Sequence, residues 1–520
     1  MAQFRHYFAV GSGSAGSVLT NRLSHHPSIN VLLLEAGERP PLIPNINLLH
    51  LDLIFMKHNW RFSTVPSSTI AHARKGRSFN IAASKVLGGS PMHIHNVYVR
   101  GNRKDYDNWA KNGAIGKGYL EAAEELGYHM GDINGMNQSV FMPSQSTTVD
   151  GRKWTTYQAF IKPIEGRRNL RIITSAFVTK ILIDDHNRAY GVLFDYRNQT
   201  YKVLARQEVI ISAGTFNSPK LLMLSGIGRK EILKKFHIPV RSDLLVGENL
   251  HDHVSTLGLQ FVTNSSTFRE TRITKRDYEE MLINGLMALV IRPLTSLGIE
   301  VLGFMNSKYN EDPEWPDIEI VWASRTASSD TSLRKITGAV EELERIFEKY
   351  SLLDTITCSS RVTRPKSRGM LTLKSNNPYD DPVIDLNLLS NYYDIKISVE
   401  GMKFCLQLAS TKAMERYSVR PLSYIIPGCE KYKLYSDEYL ECMLIAFPLS
   451  AHHFVGTCKM GHPNDPSTVV DTALKVKGIH NLRVIDASVI PTLIGGHTNI
   501  PVIMIAEKAA DMILQNYFKR

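Results

Sequence analysis

Gly11-Ser12-Gly13-Ser14-Ala15-Gly16 is the first group whose residue types and spacing can do chemistry, and that chemistry is phosphate binding. Gly11 permits a tight turn, Gly13 lets the backbone approach a pyrophosphate, and Gly16 lets a helix pack close to a strand. From Ser14 and Ala15 onward, a helix start offers free N–H groups and a positive dipole end to the phosphates. Glu35, 24 residues after Gly11, can accept hydrogen bonds from the hydroxyls of an adenosine ribose.

These groups work only if a strand, a helix and a second strand hold them. Tyr7-Phe8-Ala9-Val10 is an apolar run fit for a buried strand. Ala15, Val18, Leu19 and Leu23 then recur at helical spacing, and Ile29 to Leu34 reads as a second buried strand that stops at Glu35. The glycines therefore stand in the strand–turn–helix–strand context that a dinucleotide site requires.

The chain has 520 residues, too many for one ordinary compact domain, so two or more lobes are expected. With 43% hydrophobic and 21% charged residues, wholesale disorder is excluded. The net charge of +11 comes without a dense basic run carrying interleaved aromatics, so no nucleic-acid partner is expected. No stretch approaches the ~20 apolar residues of a membrane span. Met281 to Leu294 is broken by Asn284 and Arg292 and reads as a buried helix, and the amino terminus lacks a secretory apolar segment. Five cysteines without a CxxC pair are too few for a disulfide scaffold, and no metal is expected. Cys429 and Cys442 are either one bridge or two buried thiols.

Several later segments resemble the glucose–methanol–choline oxidoreductases. Gly214-Thr215-Phe216-Asn217-Ser218-Pro219, with Ser225-Gly226-Ile227-Gly228 behind it, is similar to that family's second signature. Lys85-Val86-Leu87-Gly88-Gly89-Ser90 resembles its flavin loop, Val246 to His253 its post-signature segment, and Val455 to Gly461 and Asp486 to Asp511 its terminal blocks. The resemblance runs in order along the whole chain, and its flavour is that of the insect FAD- and quinone-linked glucose dehydrogenases.

The resemblance implies an α/β fold in which an FAD-binding Rossmann-like domain is interleaved with an antiparallel-sheet α+β substrate domain. The first would take residues 1–115, 166–255 and 450–520, the second 116–165 and 256–449. It implies FAD as cofactor, held by the glycine turn, Glu35, Val86, Gly88, Gly89, Ser90, Val178, Asp486, Ala487 and Thr498. It implies a small alcohol or sugar as substrate, oxygen or a quinone as electron acceptor, and an extracellular setting.

It also implies a histidine pair. In Ala451-His452-His453-Phe454-Val455-Gly456-Thr457, the family's active-site histidine falls on His453; the second falls on His497, six residues after Pro491. Alcohol oxidation needs a base for the hydroxyl proton while a hydride leaves the carbon for flavin N5, and imidazole suits that task near neutral pH. If the segment is extended, His452 points away from His453. His452, His251 and His253 read as structural. After Thr498, a long helix is expected to turn its positive end toward the flavin.

Three departures stand out. Ile94 occupies the position of the family's cofactor-contacting Asn, with Asn96 two residues late; Pro91 removes a backbone donor from the flavin loop; and a long flap is missing after Gly113. These point toward a flavoprotein that keeps the fold without turnover, the alternative to an FAD-dependent alcohol or sugar oxidoreductase.

Overall fold

The computed structural model describes residues 4–40, 58–92, 97–98, 114–135, 137–149, 152–267 and 298–519. Ile94, Asn96 and the Met281–Leu294 segment lie outside the described residues. The chain opens with β1 (Phe4–Val10), α1 (Ser14–Leu23) and β2 (Val31–Leu34). Next come β3 (Phe141–Pro143), β4 (Leu170–Ile173), β5 (Phe177–Ile183), β6 (Ala189–Tyr196), β7 (Gln199–Ile211) and α2 (Gly214–Leu224). The short β8 (Val254–Thr256) and β9 (Gln260–Val262) precede β10 (Ile299–Met305), β11 (Ile318–Ala323) and β12 (Thr355–Val362). Then follow β13 (Pro448–Ser450), β14 (Leu482–Val484) and α3 (Asn499–Phe518).

The first sheet runs β4-β2-β1-β7-β6-β5, with β14 beside β7. β1 pairs in parallel with both β2 and β7. Strands buried on both faces need continuous apolar runs, and Phe8, Val31 and Leu33 have no exposed surface. Gly11, at φ +94°, sits where a Cβ would run into the Ser212 carbonyl, and a Cβ on Gly16 would run into the Gly11 carbonyl. Both glycines are thus steric necessities of the turn.

The second sheet is antiparallel throughout: Arg420–Pro421, then β9-β12-β11-β10-β3. A disulfide from Cys358 in β12 to Cys405 ties one face of this sheet to the helix Tyr392–Ala409. By strand alternation, Arg361 projects from the opposite face, across from its register partner Glu319 in β11. The fold is therefore mixed α/β, a Rossmann-like sheet combined with an antiparallel one. A second bridge joins Cys429 and Cys442, and Cys458 is a buried free thiol. Four of the five cysteines pair: Cys429–Cys442 takes the bridged form of the two alternatives, and Cys358–Cys405 was not expected. The 47-residue separation of the Cys358–Cys405 pair gave no sequence signal.

Candidate active site

One continuous cavity of about 390 Å3 is lined by the glycine turn and Glu35 and also by His453 and His497. Two helix starts open on it. Gly13 caps α1 and Thr498 caps α3; neither cap donates or accepts through a side chain, and neither first turn holds an acid. Their free N–H groups and positive ends suit an anion. Ser14 Oγ, donating to Asn499 Oδ1 at 2.6 Å, ties the two starts together. A Cβ on Gly13 would meet nothing within 4 Å, so the turn leaves room for a ligand. The donor set and the open cradle fit a dinucleotide.

The histidines meet through a broken ladder. β8 pairs antiparallel with β13, and the pairing resumes where His251 and Val455 exchange backbone hydrogen bonds. Between them the 451–454 strand bulges, with His452 at φ 59°. The segment is therefore not extended there, and the expectation that His452 and His453 face opposite ways fails: both line the cavity. Asp252 anchors the bulge, accepting the His453 N–H at 2.6 Å and the Ser450 hydroxyl. Burial pushes the Asp252 carboxyl up to about 7.

His453 stands nearest the other candidate. Its ring centroid lies 4.7 Å from that of His497. Burial, reinforced by neighbouring His497 and His253, holds His453 well below the ordinary imidazole range, so the ring is neutral at pH 7. His497 Nε2 lies 3.0 Å from Glu319 Oε1, and Arg361 pairs with Oε2 of the same carboxylate at 3.3 Å. Burial opposes the Glu319 charge, but His497 and Arg361 outweigh it and hold the carboxyl at about 2. An ionised carboxylate only accepts, so His497 donates from Nε2.

Sequence reading missed Glu319 and Arg361 and treated His253 as structural. His253 Nδ1 lies 2.9 Å from His453 Nδ1, in direct contact with the cluster. The one available signal was Glu319 itself, a lone acid in the apolar run Ile318-Glu319-Ile320-Val321, where an unpaired charge is costly. His251 is buried, and neither of its ring nitrogens has a hydrogen-bond partner.

The remaining candidates divide. Gly11, Gly13, Ser14, Ala15, Glu35, Gly89, Ser90, Val178, Asp486, Ala487 and Thr498 line the cavity; Gly16, Val86 and Gly88 stand behind it. Gly88 N–H donates to Ser12 Oγ, and Gly89 lies directly against Gly13, so the flavin-loop glycines brace the turn. Glu35 accepts from Ser12 N and Oγ and from Gly37 N. Asp486 accepts from Gly214 N, Ser218 Oγ and Ser488, which fixes the start of α2. Pro91 lines the cavity within a short helical turn, and the helix Ala114–Glu125 follows directly on the position of the missing flap.

Fold and cavity together fit a dinucleotide-binding protein with a histidine cluster at the far end of its site. GMC oxidoreductase models match residues 112–255 and 365–506. The chain is 33% identical to the Drosophila melanogaster glucose dehydrogenase [FAD, quinone], covering 98% of this chain and 86% of that one. It is 34% identical to an alcohol dehydrogenase [acceptor] of Pseudomonas putida, covering 98% and 95%. A formate oxidase of Aspergillus oryzae shares the fold, with a TM-score of 0.81 at 22% identity over 99% of both chains. The chain belongs to the GMC oxidoreductase family and is an FAD-dependent oxidoreductase. The alignment to the fly enzyme spans 556 positions, more than the 520 residues here, so that relative has residues with no counterpart in this chain.

Proposed function

We propose that the protein oxidises the CH–OH group of a small alcohol or sugar, with His453 as the base. One observation carries this reading: the cavity that begins at the dinucleotide turn is continuous with the His453–His497 pair. FAD, when bound, supplies the hydride acceptor. The chain's own residues do the rest. His453, neutral because it is buried, takes the hydroxyl proton. His497, whose Nε2–H is given to Glu319, stands beside His453 and would help hold the substrate carbon in place. Glu319 keeps the His497 ring oriented from the second sheet.

Gly13, Ser14, Ala15 and Thr498 would hold the phosphates and flavin through backbone N–H groups, with Glu35 toward the ribose and Val178 toward the adenine. The first sheet and its helices would form the FAD lobe, and the antiparallel sheet the substrate lobe. The substrate is an uncharged alcohol or sugar rather than an acid, because Glu319 already neutralises the nearest cation, Arg361. Two disulfides suit an oxidising compartment, in keeping with the extracellular setting that the family resemblance implies.

The test is anaerobic stopped-flow reduction of the purified flavoprotein by a panel of primary alcohols, secondary alcohols and sugars. Re-oxidation by oxygen or by a quinone then identifies the acceptor. Flavin bleaching by a member of the panel is expected. A yellow protein that no alcohol or sugar bleaches would leave the other reading, a flavoprotein that keeps the fold without turnover.

A further inference from the structure

The base reading leaves open which nitrogen of His453 receives the proton, and a short hydrogen-bonded chain behind the ring decides it. The chain begins at the Thr363 carbonyl, 2.9 Å from His253 Nε2. A carbonyl cannot donate, so the proton between them belongs to Nε2. His253 is 1% exposed, and burial lowers its proton affinity to about 4, so at neutral pH the ring carries that one proton. Its Nδ1 is then a bare lone pair. His453 Nδ1 lies 2.9 Å away and must be the donor, with the two rings nearly perpendicular at 84°. A neutral His453 that carries its proton on Nδ1 has none on Nε2.

We propose that His253 is a positioning residue that holds His453 in the tautomer whose Nε2 is an unprotonated base. The assignment rests on the reading of His453 as the base. The alternative tautomer would put the ring's proton on the nitrogen that has to accept one. When the hydroxyl proton moves to Nε2, the Nδ1–H bond to His253 is retained, so the ring does not have to turn during the transfer. Asp252 does the complementary task by gripping the His453 backbone N–H. One dipeptide, Asp252-His253, thus sets both the backbone and the ring of the base.

Two substitutions test this in the FAD-loaded protein. His253→Asn keeps an acceptor near the position of Nδ1, whereas His253→Leu has similar bulk and no acceptor. With the best alcohol, His253→Leu should slow flavin reduction at saturation by about tenfold or more, because the reactive tautomer becomes a minor form. FAD content and the half-saturating alcohol concentration should stay within about twofold, and His253→Asn should recover most of the rate. Equal rates for the two variants, or a wild-type rate in His253→Leu, would overturn the proposal. Should neither variant load FAD, the wild type still decides: 15N spectra of histidine-labelled holoprotein, with the His453 signal identified by its loss in His453→Gln, should show protonation on Nδ1. Protonation on Nε2 would overturn it. His453→Ala separates the two levels: if that variant keeps its rate, the base reading itself fails. If it loses its rate while His253→Leu does not, only the role of His253 falls.

Discussion

The two ends of the cavity are built on different plans. The dinucleotide end is made largely of backbone, most of it from residues 7 to 37, with the Gly88–Gly89 brace against it and the start of α3 beside it. The histidine end is made of side chains delivered by five segments, carrying His253, Glu319, Arg361, His453 and His497. A backbone site is specified by where side chains must be missing. A side-chain site is specified by which strands pair, and in what register. The first tolerates almost no added atoms; the second tolerates no lost partners.

The largest effect expected from this contrast is in rate. His453→Ala should slow anaerobic flavin reduction by about 10²–10⁴ while the FAD absorbance per protein stays at the wild-type level. If the flavin leaves with the histidine, the two ends are not separable.

Next comes stability. Glu319→Gln leaves the partly buried Arg361 without its carboxylate and should cost up to about 3–5 kcal/mol in urea unfolding, with a slower flavin reduction besides. A variant as stable as wild type would mean that the pair is solvated and that the histidine end is less tightly coupled than its geometry implies.

Gly13→Val probes the opposite end. Its Cβ meets no protein atom, so the apoprotein should melt near the wild-type temperature, yet FAD affinity should fall by about tenfold or more, some 1.4 kcal/mol. Fluorescence titration and calorimetry on the same sample separate those quantities. A lowered melting temperature with unchanged affinity would reverse the assignment of that space to the cofactor.

The smallest effect is a slope. Burial lowers the pKa of His251 to about 3 and of His253 and His452 to about 4, and holds that of His453 well below the ordinary imidazole range. Their folded values lie below the unfolded value near 6.5, so the unfolded chain takes up protons first as pH falls. Each histidine therefore removes up to about 1.4 kcal/mol of stability per pH unit between about pH 6.5 and its folded value. Asp252 acts the other way: its folded value of about 7 makes the native state take a proton as pH falls toward 4. Burial raises the Glu35 and Asp486 carboxyls in the same sense, but the four histidines still outnumber the three acids, so stability should decline on acidification. His251→Leu, which removes an imidazole with no protein partner, should flatten that decline at little cost near pH 7. An unchanged slope in urea titrations between pH 4 and 6.5 would show that His251 is already charged when folded.

The same contrast explains what could be read from the sequence. The βαβ unit was legible because its signal is local: apolar runs, three glycines and a terminal acid within one stretch. Family motifs pointed to His453 and His497, and the structure brings these two rings together. His253 and Glu319 were not legible, since nothing in Asp252-His253-Val254 or in an Ile-Glu-Ile strand announces a neighbour 200 or 178 residues away. Ladder register and sheet crossing supply those contacts, and periodicity is silent about both. His452 was misjudged for a related reason: the left-handed residue that breaks the strand is a histidine, where a glycine would have signalled the bulge.

The Ser14–Asn499 hydrogen bond joins residues 485 positions apart, at the two helix starts that open on the cavity. On a ribosome adding ~5–20 residues per second, the second of these partners is made roughly 25–100 s after the first. Through that interval the glycine turn exists without the helix that completes its cavity. Cofactor capture is therefore a late event in the life of the chain, and a stalled or clipped product that lacks α3 would present a half-built cradle to quality control.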